Sequence, residues 1–199
     1  MKIAFKEWGV VVNALGLGAQ VVILRKGGIH ENQSGFNLEH QSFLLFPTLF
    51  HQQYEAITPE SRLWFGSSNL TNSQSDSIRV QYCARVIASA EVQDFPAVKR
   101  LSPLHIWNEE TVAQKFSWGD RPMVHAFFLQ VAQLPTAVDI SASPSYVGCR
   151  SWIELQCDIA TSEAKPVLTE NELEQKLQSF DQALGCASVR RCKISQTTF

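Results

Sequence analysis

The sequence predicts an α+β fold: a mixed, mainly antiparallel sheet curling toward a barrel, with about three helices packed on it. Three observations carry this expectation. The chain has 199 residues, of which 45% are hydrophobic and 18% charged, enough to bury a sizeable core without staples. Short apolar runs rich in β-branched and aromatic residues recur along it: Gly9–Leu15, Gln20–Lys26, Gln41–Phe46, Ile78–Ala90 and Met123–Leu134. Only a few segments carry helix punctuation.

Taken in order, Gly9-Val-Val-Val-Asn-Ala-Leu reads as a buried strand. Gly16 and Gly18 supply a turn, and Gln20-Val-Val-Ile-Leu-Arg-Lys completes a hairpin ended by Gly27-Gly28. Residues 30–38 read as loop. Gln41–Phe46 reads as extended chain closed by Pro47, after which Thr48 is placed to cap a helix over residues 49–57. The polar stretch 66–77 reads as a linker or mobile loop. Ile78–Ala90 alternates as a half-buried strand. Asn108 is a good N-cap for a helix running to about Phe116, with Glu109 and Glu110 in its first turn and Trp107 and Val112 at staple spacing. Met123–Leu134 is a strand that Pro135 should stop, and a last strand is expected from about Cys149. Thr169-Glu-Asn-Glu172 is a capping box. Leu173, Leu177, Phe180 and Leu184 follow at helical spacing, with Gly185 as the C-terminal stop. The expected organisation is a core over residues 1–160, containing a motif-bearing segment at 24–52, followed by a C-terminal helix and tail at 161–199 packed on that core.

A net charge of −2 excludes a global basic footprint of the kind that non-specific nucleic-acid binders carry, though not a local patch. No apolar run approaches the roughly 20 residues that a membrane span needs, so no membrane partner is expected. Five cysteines, Cys83, Cys149, Cys157, Cys186 and Cys192, form no CxxC pair. An odd count behind an N-terminus without an apolar signal core reads as free thiols in a cytoplasmic protein.

The chemically capable side chains concentrate at 24–52. Arg25, Lys26, Gly27, Gly28, Glu39, His40, Thr48, His51 and Gln52 are the candidate ligand-binding residues. A Gly-Gly pair after a strand can bring backbone N–H groups to an anion, with Arg25 and Lys26 adding charge. The alternative is a turn that needs positive φ. The spacing fits neither a dinucleotide fingerprint nor a phosphate-loop motif, and no cofactor is signalled. His40 and His51 with Glu39, joined by His30, form a potential acid/base cluster, although no metal-ligand spacing is present. Cys149 is a nucleophile only if His105 or His125 is near it; the competing role is core packing. Trp107, Trp118 and Trp152 are suited to stacking a base, and equally to filling a core. Glu174-Gln-Lys176, the one Glu-x-Lys of the kind nucleases use, falls on the amphipathic C-terminal helix and reads as a solvated face.

Phe5-Lys-Glu-Trp8, Leu24-Arg-Lys-Gly-Gly-Ile29, Glu39-His40, Phe46-Pro-Thr48, His51-Gln52, His105-Ile-Trp107 and Gly148-Cys149 with Ser151-Trp152 together resemble the domain-of-unknown-function family 1802. The resemblance covers roughly residues 3 to 157 and brings no established activity. Some relatives are joined to restriction-endonuclease-like domains, which implies a setting near DNA modification or restriction. The functional expectation is therefore a domain that binds nucleic acid or another phosphate-bearing ligand at 24–52. The alternatives are a hydrolase with a His/Glu site in the same segment, or a partner-binding structural protein.

Overall fold

A computed structural model describes residues 1–26, 40–48, 52–64, 77–148, 150–185 and 189–192. Among these the sheet strands are β1 (Ile3–Trp8), β2 (Val22–Arg25), β3 (Ser42–Thr48), β4 (Ser77–Val92), β5 (Val124–Ser141), β6 (Trp152–Glu154), β7 (Lys165–Pro166) and β8 (Arg190–Arg191). The main path runs β2-β5-β4-β3-β1-β6, with β7 on β5 and β8 on β4. Only β1 and β3 pair in parallel; every other pair is antiparallel. The sheet curls into a half-barrel, so the expected α+β class and mainly antiparallel pairing are what the structure has. Among the described residues four α-helices accompany it: α1 (Gly9–Gly16), α2 (Phe95–Arg100), α3 (Glu109–Ser117) and α4 (Glu170–Leu184).

The first correction concerns Gly9–Leu15, which is helical and not a strand. Val10, Val11 and Val12 are all buried, so the packing available to these side chains overrides the modest helix penalty of β-branching. The backbone is also captured at its start, where the Val10 N–H donates to Gln52 Oε1 at 2.9 Å. The predicted hairpin is therefore a strand–helix–strand unit, and β2 pairs with β5 instead. Gly16 ends α1 against the face of Tyr82: a Cβ on Gly16 would fall 2.2 Å from the ring.

Two prolines do not act as the stops expected of them. Pro47 lies inside β3 opposite Glu7, and β5 runs through Pro135 to Ser141. The β4–β5 register is shifted between Val80 and Tyr82, and this irregularity takes up the Leu134–Ala137 stretch of β5. Thr48 closes β3, and its hydroxyl donates to the Glu7 carbonyl at 3.2 Å; of the helix expected over residues 49–57, the described part from residue 52 holds only a short 3₁₀ turn at 54–56, with another at 59–64. Residues 49–51 and most of the predicted loop at 66–77 lie outside the described residues.

Both punctuated helices form as their caps dictate. Asn108 Oδ1 accepts from the Thr111 N–H at 2.8 Å, and Thr169 and Glu172 make the reciprocal capping box. Gly185 ends α4 with φ 76°. Phe180 is fully buried and packs at 5.5 Å on Phe128 of β5, which seats α4 on the sheet. α2 went unread in the sequence; Asp94 caps it, with Pro96 in its first turn.

Gly16→Ala should lower stability by about 1–3 kcal/mol, because the methyl group can be housed only by displacing the Tyr82 ring. Chemical denaturation measures this. The cost should shrink when the substitution is made in a Tyr82→Ala background.

Candidate ligand cleft between β2 and α3

Beyond the end of β2 an open cleft of about 330 Å³ is lined, among the described residues, by Trp8, Leu24, Arg25, Lys26, Gln53, Ala56, Trp107, Thr111, Gln114, Lys115 and Trp118. Its α3 wall follows from helical periodicity. Thr111, Gln114, Lys115 and Trp118 stand at i, i+3, i+4 and i+7 and share one side, while Val112 and Phe116 turn to the core.

The back wall is Trp107, held from both flanks. Buried Gln20 donates from Nε2 to the Val22 carbonyl at 2.7 Å and accepts from the Ile106 N–H at 3.2 Å, which clips the 105–107 segment to β2. On the other flank the Thr58 N–H donates to Ile106 O and the Asn108 N–H to Ala56 O, with a bridge between Ile57 and Trp107. Trp8 meets the Trp107 ring edge-on at 5.0 Å, and Lys115 Nζ sits 4.4 Å from that ring's centre. Trp118 is different: it is 68% exposed at the mouth of the cleft.

Three cations line the cleft in different states. Arg25 Nη2 donates to the Lys6 carbonyl at 2.9 Å and stands 3.9 Å from a carboxylate oxygen of buried Glu7, with the guanidinium 4.5 Å over the Phe5 ring. Lys26 Nζ donates to the carbonyls of Phe116, at 2.9 Å, in the last turn of α3, and of Arg121, in the segment that follows it. Lys115 has neither a hydrogen bond nor an ion pair among the described residues. Burial draws its pKa below that of an ordinary lysine; the Glu7 charge opposes this and Arg25 adds to it.

The sequence-predicted residues divide accordingly. Arg25 and Lys26 line the cleft. Gln52 and Thr48 serve the backbone at the start of α1 and the end of β1. His40 stacks edge-on against Trp152 at 5.3 Å, and Trp152 packs on Phe5 and Phe43 in the half-barrel. Gly27, Gly28, Glu39 and His51 lie outside the described residues, as do His30 and Cys149. Trp8, Gln53, Thr111, Gln114 and Lys115 were not singled out from the sequence. The signal available was the polar spacing of 111, 114, 115 and 118 on a helix whose other face is apolar.

Neither a thiol nor a free imidazole supplies reactivity at the cleft among the described residues. Burial pushes the Cys83 thiol up to about 11, which leaves it inert. Cys83, Cys157 and Cys192 are free thiols. His105 is buried, and burial takes its pKa down to about 4, opposed by backbone hydrogen-bonding groups of His105 and Trp107 and reinforced by the Lys115 charge. No group of three or more His, Cys, Asp or Glu side chains that could hold a metal ion occurs among the described residues. No described helix is long and apolar enough to cross a membrane.

One family model spans the motif-bearing strands and this cleft together. The model described as "Domain of unknown function (DUF1802)" matches residues 4–179, and the chain belongs to that family. Among solved structures the chain is similar to ASCH from Zymomonas mobilis, at 14% identity and TM-score 0.45, over 89% of this chain and 93% of that one. A point variant of the same protein aligns at 13% identity and TM-score 0.43, over 89% and 94% of the two chains. No curated protein matches. The cleft is therefore read from the side chains of this chain alone.

His105 also predicts a pH dependence. An unfolded imidazole takes up a proton near pH 6.5 and the folded one only near pH 4, so the folded state loses relative stability as pH falls through that window. The contribution is fully present above about pH 6.5, and its loss toward pH 4 is on the order of 3 kcal/mol. Urea unfolding at pH 7.5 and pH 4.5 should show the wild type losing more than His105→Leu by about that amount.

Proposed function

We propose that this chain binds single-stranded nucleic acid, or the nucleotide unit of which it is made, in the cleft between β2 and α3. The observation that carries the reading is Trp118, a large aromatic ring left 68% exposed at the mouth of a cleft that also presents Lys115, Arg25 and Lys26. Burying an indole is normally favourable, so an exposed one beside cations is suited to receive a flat apolar face that arrives with negative charge. An unpaired base on its phosphate is such a group, and stacking tolerates any base. Thr111 and Gln53 add hydrogen-bonding groups within the same cleft.

The net charge of −2 shapes this reading. Without a basic field over the whole surface, contact with phosphate is confined to the cleft, and few counterions are released on binding. The salt dependence should accordingly be shallow. Nothing among the described residues favours DNA over RNA. The hydrolytic alternative gains no support from the cleft, since no histidine is among its described lining residues.

Fluorescence anisotropy with labelled single-stranded oligonucleotides of about eight nucleotides tests the reading. Trp118→Ala should weaken binding by roughly 5- to 150-fold, the equivalent of about 1–3 kcal/mol of stacking. The melting temperature should stay unchanged, because the ring is mostly in water. A wild-type chain that binds no single strand, or a variant that binds as well as the wild type, defeats the proposal.

A further inference from the structure

We propose that Lys115 is the phosphate-recognising group of the cleft, so that the cleft receives one unpaired nucleotide unit with its phosphate on the Lys115 ammonium and its base on the Trp118 ring. This rests on the single-strand reading above and goes further by assigning the anion to one residue.

The assignment comes from what each cation already does. The Arg25 guanidinium is committed to the Lys6 carbonyl, the Phe5 ring and the buried Glu7 carboxylate. The Lys26 ammonium is committed to two backbone carbonyls, Phe116 in the last turn of α3 and Arg121 in the segment after it. Both are fastened to the protein's own acceptors. Lys115 faces the Trp107 ring at 4.4 Å, and its three N–H donors have no oxygen partner among the described residues. A half-buried ammonium on the wall of the cleft with no protein acceptor among the described residues has its donors available, and a phosphate oxygen entering the cleft can take them. Glu7 is the acidic group that acts on Lys115, and it is not among the residues that line the cleft. Arg25, Lys26 and Lys115 are, so the wall that would meet a phosphate is cationic.

Position and size fit a single unit. Lys115 in the last turn of α3 and Trp118 just past its end lie three residues apart and line the same cleft. A volume of about 330 Å³ lies at the lower end for small-ligand sites. A base within a duplex has both faces covered by its neighbours, so only an unpaired base can lie on the indole.

Titration of the intact chain with adenosine, adenosine monophosphate, inorganic phosphate and a single-stranded tetranucleotide tests the assignment, read by tryptophan fluorescence and calorimetry. The wild type should prefer the monophosphate to adenosine by about tenfold or more, as expected for a charge-assisted contact. Lys115→Gln should erase that preference while leaving adenosine binding in place, and Lys115→Arg should keep much of it. Melting temperatures of both variants should match or exceed the wild type, since an ammonium without an acceptor is removed or replaced. The tetranucleotide and the monophosphate distinguish a strand from a free nucleotide as the preferred source of the same unit. If oligonucleotides bind through Trp118 but Lys115→Gln still prefers the monophosphate, the Lys115 assignment is wrong and the single-strand reading survives. If neither nucleosides nor strands bind, both fall. Inorganic phosphate binding that is equally strong in Lys115→Gln also overturns the assignment.

Discussion

The structure turns on a carboxylate that has been taken almost out of water. Glu7, only 8% exposed, sits near the end of β1 where strand gives way to helix. One of its oxygens accepts the Trp8 N–H at 2.8 Å, and the other faces Arg25 of β2. Its backbone carbonyl accepts the Thr48 hydroxyl from β3. A buried charge is tolerated when its oxygens have partners, and the Trp8 N–H and Arg25 supply them. With the Thr48 hydroxyl these contacts tie the ends of β1, β2 and β3 together beside the cleft, which Trp8 and Arg25 line.

Much of the fold was legible because its signals are local. The Asn108 and Thr169 caps, the apolar stripe of α4 and the alternation of β4 all depend on residues within a turn or two of one another, and all are present. α1 was misread for a physical reason. Three consecutive valines favour a strand on intrinsic grounds, and only the surrounding core, together with the Gln52 side chain from a distant segment, makes the helix the better arrangement. Pro47 and Pro135 were misread similarly, since a proline ends a strand only where its missing N–H is needed, and that depends on partners the local sequence does not name.

The cleft was half legible. Arg25 and Lys26 were singled out by charge beside a glycine pair, and both line it. The sequence could not reveal that Arg25 Nη2 and Lys26 Nζ already donate to the carbonyls of Lys6, Phe116 and Arg121, because none of those groups is near in the chain. The three tryptophans posed the same difficulty. Trp107 and Trp152 pack inside while Trp118 stands outside, and the deciding fact is the face of α3 each position continues. Trp118, just past the last helical residue, continues the cleft side of Thr111, Gln114 and Lys115, whereas Phe116 turns to the core.

The position of β1 in the sheet has a consequence for how the chain is made. β1 lies between β3 and β6, and β6 begins only at Trp152. On a ribosome, which delivers about 5–20 residues each second, β1 and α1 emerge many seconds before the strand that covers their outer edge. During that interval the open edge and the apolar side chains of α1 are available to other nascent chains. Closing so large a loop is also slow, since its entropic cost precedes any gain from pairing. Synthesis speed and chaperone supply, more than the stability of the finished sheet, would then govern how much of this protein reaches its folded form in a cell.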